Sequence, residues 1–166
     1  MSNETRQSDK LIRQLRLTPH PEGGYYRRTL TSPESCQTAT GERPLLSSIF
    51  YLLTSAQRIG HCHRNRSGIL HCWQGGGALR YTTISPQGAL EQFILGPDIA
   101  HGQQLQRWVA SHYWKASELL SDDYALISEA VSPGFDYADQ QMAGPELLQS
   151  YPQYYELLRP LIAALN

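Results

Sequence analysis

Short runs in which apolar and polar residues alternate recur along most of the chain, and each is closed by glycine, proline or small polar residues. "YYRRTLT", "SSIFYLL", "RIGHCHR", "GILHCW", "ALRYTTI", "ALEQFIL", "QRWV", "HYWKA" and "YALISEAV" are all of this kind and rich in aromatic or β-branched side chains, which predicts strands. "PHPEGG" predicts a turn ahead of the first of them, "SPQG" a hairpin turn between "ALRYTTI" and "ALEQFIL", and "TSPESCQTATGERP" a polar loop. A helical period shows only at the two ends. "SDKLIRQL" sets Leu11, Ile12 and Leu15 on one side behind the cap candidates Ser8 and Asp9. The tail "GPELLQSYPQYYELLRPLIAALN" has Pro145 at a first-turn position and is divided by Pro152 and Pro160. Many strands with few helices between them predict an all-β sandwich or barrel, with the helical tail covering an open edge or end.

Length and charge narrow this picture. With 166 residues and no internal repeat or low-complexity linker, the chain is expected to be one domain, 1–166, with a core over about 17–142 and a helical tail over 144–166. A domain of this size buries roughly 70% of the surface its unfolded chain exposes, so a core needs neither disulfides nor metal. Fourteen Lys and Arg stand against 15 Asp and Glu, a formal charge of -1 without a basic stripe, which argues against a nucleic-acid partner. "MSNETRQSDK" lacks the apolar segment of a signal peptide, and "PLLSSIFYLL" is too short to span a bilayer. A cytoplasmic protein with no membrane partner is expected. Cys36, Cys62 and Cys72 are odd in number and show no CxxC spacing, so they are read as reduced packing residues.

Candidate chemistry centres on "RIGHCHRNRSGILHCWQGGG". In a regular strand alternate side chains share a face, so His61 and His63 are expected to project together into the barrel while Cys62 points away. His71, between Leu70 and Cys72, reads as a hydrogen-bonded structural histidine, and His101 as a solvated loop residue. Gly75 to Gly77 lack the Lys-Ser/Thr of a phosphate loop and form a turn. Tyr25 and Tyr26 alternate, so one of the two faces inward.

Three segments, "LTPHPEGGYYRRT", "HRNRSGILHCWQGG" and "VSPGFDYADQQM", resemble in sequence and order the cupin type 5 family of small single-domain cupins. The resemblance implies a double-stranded β-helix, or jelly roll, similar to the sugar-nucleotide 3,5-epimerases and commonly paired as a homodimer. It implies no established activity, and a widely used barrel is a poor guide to one. Cupin barrels bind metal through His-x-His, then four residues, Glu, six residues and Gly, with a further His from a later strand. Here the frame runs from His61 and His63 to Gly68 and Gly75, so glycine stands where the glutamate belongs, and in "ASHYWK" Lys115 stands where the later histidine belongs. The family usually shows an acidic pair at Ser67 and Gly68 and a Glu at Arg28, while His61 is an addition. Without an anionic ligand a divalent ion is poorly compensated. No cofactor is expected, and His61 and His63 remain only weak metal candidates.

Two functions are consistent with these residues. In one, the barrel is a metal-independent isomerase or epimerase acting on a sugar-like anionic metabolite, with His63 as general base and Tyr26 as general acid. Glu22, Arg27, His61, Lys115 and Asp136 would bind substrate, Arg27 through its planar fork unless it pairs with Asp136. In the other, the same barrel is a non-catalytic binding or sensing module for such a metabolite. A metal-dependent dioxygenase ranks third, because too few ligands are present.

Overall fold

The structure is a computed structural model that describes residues 6–120 and 123–165; the start of the polar leader, Met1–Thr5, lies outside them. Helix α1 (Gln7–Gln14) is followed by β1 (Thr18–Pro19) and β2 (Tyr25–Thr31). The stretch expected to be a polar loop instead forms a hairpin of β3 (Ser35–Thr38) and β4 (Gly41–Pro44). Its two strands are polar on both faces, so no apolar period marks them. Then come β5 (Ser47–Thr54), β6 (Ile59–Asn65), β7 (Gly68–Gly76), β8 (Leu79–Ile84), β9 (Leu90–Leu95), β10 (Gln106–Val109), β11 (Trp114–Leu119), β12 (Tyr124–Ser132) and β13 (Gln140–Met142). The "SPQG" segment turns β8 into β9 as expected, with Gly88 at φ +87° donating its N–H to the Ser85 carbonyl.

Strands β1-β2-β5-β12-β7-β10 form one sheet and β13-β6-β11-β8-β9 the other, with every named pair antiparallel. Between the sheets Tyr51, Leu53, Leu79, Tyr81, Leu95 and Ile127 pack into an apolar core that closes one half of the barrel. A second apolar layer lies on the outer face of the five-stranded sheet. There Cys62, Ile84, Trp114 and Ala116 meet Leu147 and Leu148 of α2 (Glu146–Ser150), Leu158 of α3 (Tyr155–Leu158), and Leu161 and Ile162 beyond it. The tail therefore covers a sheet face rather than an edge. Burial of whole Leu and Ile side chains at roughly 1.5–3 kcal/mol each holds it there. No described helix is long and apolar enough to cross a membrane.

Candidate active site in the polar half of the barrel

Strand register decides which side chains reach the interior. Partners across an antiparallel ladder point to the same face. Arg28 pairs with Ile49, Ile49 with Glu129, and Glu129 with His71, and this row faces inward, since Glu129 and Ile49 line the interior and His71 is fully buried. The neighbouring row of Arg27, Phe50, Ser128 and Cys72 must face outward. Arg27 accordingly lies over the Phe50 ring at 6.0 Å, and among the described residues it forms no ion pair with Asp136. Asp136 instead caps a short helix by accepting from the Ala138 N–H at 2.8 Å. The expectation that Arg27 shares a pocket with His63 is corrected by one residue: Arg28, beside Phe135 at the mouth, lines it.

A bulge produces a second correction. Lys115 pairs with His63, but two residues later on β11 Ser117 pairs with Gly60, three residues back on β6. The extra residue in β6 breaks the period-two alternation. Cys62 still packs outward against the tail and His63 inward, whereas His61 leaves the interior and lines an open groove with Ser55, Arg58 and Pro160. His61 and His63 therefore do not converge on one point. Register also places Gly68 on the outer face, where a Cβ would overlap the ring of the half-exposed Trp108. The interior side chain at that level is Ile69. The gap in the metal frame is thus filled by an isoleucine.

The residues that do converge are Glu22, Tyr26, His63 and Lys115 from the sequence reading, joined by His20, Asn65, His71 and Glu129. "HPEGG" delivers the first two. Gly23 sits at φ +95° with the Ile59 carbonyl where a Cβ would be, a conformation that suits glycine. This turn is fixed by Tyr51 Oη donating to the Gly23 carbonyl at 2.8 Å and by the His61 N–H donating to the Glu22 carbonyl at 2.6 Å. Glu22 is folded back into the barrel and Tyr26 follows on β2, its ring edge-on to His20 at 4.5 Å.

Glu22 Oε1 lies 3.2 Å from His63 Nε2 and accepts from the Gln140 amide, and Oε2 lies 3.8 Å from His20 Nδ1. Burial, then the nearby Glu129, pushes the Glu22 carboxyl up to about 8. The hydrogen bonds agree. His63 Nδ1 lies 2.8 Å from the His61 carbonyl, which can only accept, so the ring proton sits on Nδ1 and Nε2 carries a lone pair. The contact with Glu22 is then a hydrogen bond when the carboxyl holds the proton. Burial, and after it the charge of Lys115, keeps His63 and His71 well below the ordinary histidine range and His20 at about 4. At neutral pH these imidazoles are uncharged. Lys115 Nζ donates to His71 Nε2 at 3.0 Å, and the same nitrogen lies 3.4 Å from Glu129 Oε1. Burial lowers Lys115 and raises Glu129, while each opposes the shift of the other. The family-implied metal has no matching donor set: among the described residues no three His, Cys, Asp or Glu side chains are grouped to hold an ion.

The family description "Cupin superfamily (DUF985)" matches residues 9–143. The chain belongs to this cupin family. The cupin chain is 34% identical over 145 residues to the uncharacterized protein YML079W of Saccharomyces cerevisiae, covering 78% of this chain and 72% of the relative. Among solved structures it is similar to protein SO0799 from Shewanella oneidensis (32% identity, TM-score 0.87, 95% of this chain and 98% of that one). It is equally close in fold to a hypothetical protein from Leishmania major (27%, TM-score 0.87, 93% and 97%). Oxalate decarboxylase from Bacillus subtilis shares only the fold, at 16% identity and TM-score 0.56 over 86% of this chain and 36% of that one.

Within this cupin, the residues that sequence reasoning missed are His20, Glu129 and Asn65. His20 was hidden in the turn motif, and Glu129 is a single acidic residue in the apolar run "YALISEAV", a position where burial of a charge is costly without a partner. That anomaly was the available signal. His71 is structural in the sense of being fully buried and hydrogen-bonded, yet it joins the same network. His112, which precedes the Lys115 motif, is exposed and lies on an outer groove with φ +65°.

Proposed function

We propose that the polar half of the barrel binds a small anionic, sugar-like metabolite and catalyses a metal-independent proton transfer on it, as an isomerase or epimerase does. The observation that carries this reading is the buried Glu22–His63 pair, a carboxyl held near neutrality at about 8 against an imidazole whose Nε2 lone pair faces it. Groups poised near the working pH exchange protons most readily in both directions. With Glu22 ionised, His63 Nε2 takes the proton from carbon beside a carbonyl and the imidazolium so formed pairs with the Glu22 carboxylate, while the phenol of Tyr26 gives its proton to the substrate; water then takes the proton from His63 and restores that of Tyr26. Tyr26 Oη is held by the Tyr137 hydroxyl at 3.3 Å. Lys115 inside and Arg28 at the mouth supply the positive charge that an anionic substrate requires.

A thermal-shift screen of phosphorylated sugars, sugar nucleotides and carboxylates, followed by proton NMR of each hit in deuterated water, tests the proposal. Enzyme-dependent deuterium incorporation that is lost in His63→Ala and Tyr26→Phe supports it. Binding without exchange sinks it in favour of the second reading, a non-catalytic metabolite-binding module. That reading is favoured by Gly68 and Lys115 standing where the cupin frame carries its glutamate and later histidine; in either reading the free space among these residues, about 20 Å³, is roughly the room of one water molecule. Phe135 and Tyr137 would have to move from the mouth for a sugar to enter.

A further inference from the structure

A groove of about 440 Å³ lies outside the barrel, beside the tail, and the proton-transfer reading leaves it unused. Arg64 and Arg66 line it with Asn65, His112, Gln141 and Tyr151. Arg64 points outward because its neighbours His63 and Asn65 on β6 line the interior. Its guanidinium lies over the Trp114 ring at 4.6 Å, and its Nε donates to Gln141 Oε1 at 2.9 Å. The fork is therefore held in place before any ligand arrives, which lowers the ordering cost of binding. Among the described residues its two terminal nitrogens have no hydrogen-bond partner. Arg66 is half exposed and makes no hydrogen bond there either; its contact is with Asp139 at 3.9 Å.

Among the described residues Asp139 is the groove's only carboxylate, and it is already engaged. Arg43 donates to it at 2.6 Å and Thr40 at 2.7 Å, and these bonds hold its carboxyl below the usual range. Arg43 and Arg66 thus share Asp139 while Arg64 has no carboxylate partner among the described residues, which leaves this face with more guanidinium charge than carboxylate charge.

We propose that this groove binds the phosphate group of a phosphorylated small molecule, gripped by Arg64 and Arg66. Two guanidinium forks match the oxygens of a phosphate dianion in geometry and charge. Neither the Glu22–His63 chemistry nor the interior substrate enters this inference, so each can fail alone.

Inorganic phosphate titrated into the full-length nitrogen-15-labelled chain, against sodium chloride at matched ionic strength, is the test. Saturable shifts of the Arg64 Nε–H and Trp114 indole N–H signals are expected with phosphate only. Arg64→Ala and Arg66→Gln should each weaken binding at least about tenfold, Arg64→Lys should weaken it less than Arg64→Ala, and His63→Ala should leave it unchanged. The Arg66 side chain is half exposed and its one contact is the 3.9 Å approach to Asp139, while its backbone N–H bond to the Asp139 carbonyl survives the substitution, so its variant still reports if Arg64→Ala does not fold. Equal shifts in chloride, no saturation, parent-like binding by Arg66→Gln, or loss of binding in His63→Ala would each overturn the proposal.

Discussion

Replacing Glu22 by Gln asks whether the interior carboxyl is held protonated in the folded barrel. In the native state it is raised from 4.5 to about 8 by burial and by Glu129, while the unfolded chain releases the same proton near the ordinary value. Between about pH 4.5 and 8 the native state thus binds more protons than the unfolded one, and stability falls as pH rises. The stabilisation is complete below 4.5 and lost as pH passes through 8. At ~1.4 kcal/mol for each pH unit, the ceiling over this window is ~5 kcal/mol. His20 works in the opposite direction: its imidazole is lowered from 6.5 to about 4, so the unfolded chain holds the extra proton and stability rises with pH across that range. His63 and His71 are lowered as well and add to the rise. Gln keeps the size of Glu22 and can still accept from Gln140, but it cannot titrate. Urea unfolding followed by far-UV circular dichroism at several pH values from 5 to 8 gives the comparison. Parent minus variant cancels what the two share and leaves the titration of Glu22 together with its coupling to Lys115 and Glu129. Glu22→Gln should become steadily more stable relative to the parent as pH rises, by a few kcal/mol over the range. A difference that is flat with pH, or of opposite slope, would refute a protonated Glu22.

Three further outcomes follow from named contacts. Gly23→Ala, at φ +95° with the Ile59 carbonyl in the way of its Cβ, should lower the stability measured by urea unfolding by about 1–3 kcal/mol; a neutral change would mean the turn is not fixed by that glycine. Lys115→Met strands Glu129 beside His71 and should cost about 3 kcal/mol at neutral pH. Adding Glu129→Gln should recover much of that loss, and strictly additive losses in the same unfolding assay would show that the two do not act as a pair. Gly68→Glu, facing outward beneath Trp108, should add no manganese binding by calorimetry, and a new tight site there would contradict the observed register.

The strands of this protein were legible because each must bury one face. "QRWV" is β10 residue for residue, and "YYRRTLT" is β2. Turns that need positive φ were legible too, since glycine at Gly23 and Gly88 announces them. Family motifs gave the jelly roll and brought Glu22, Tyr26, His63 and Lys115 to attention, all of which converge. What the chain alone could not carry was phase. One extra residue in β6 sends His61 out of the barrel while His63 stays in, and a bulge is invisible to any rule that counts in twos. The same ladder geometry put Arg28 rather than Arg27 at the mouth and Ile69 rather than Gly68 in the interior. The proton chemistry of the site is likewise a tertiary property. Glu22 is an ordinary carboxylate in sequence, and its shift to about 8 arises only when burial and the nearby Glu129 act on it against the opposing charge of Lys115, groups brought together from separate elements, because desolvation and Coulomb interaction depend on distance in space and not along the chain.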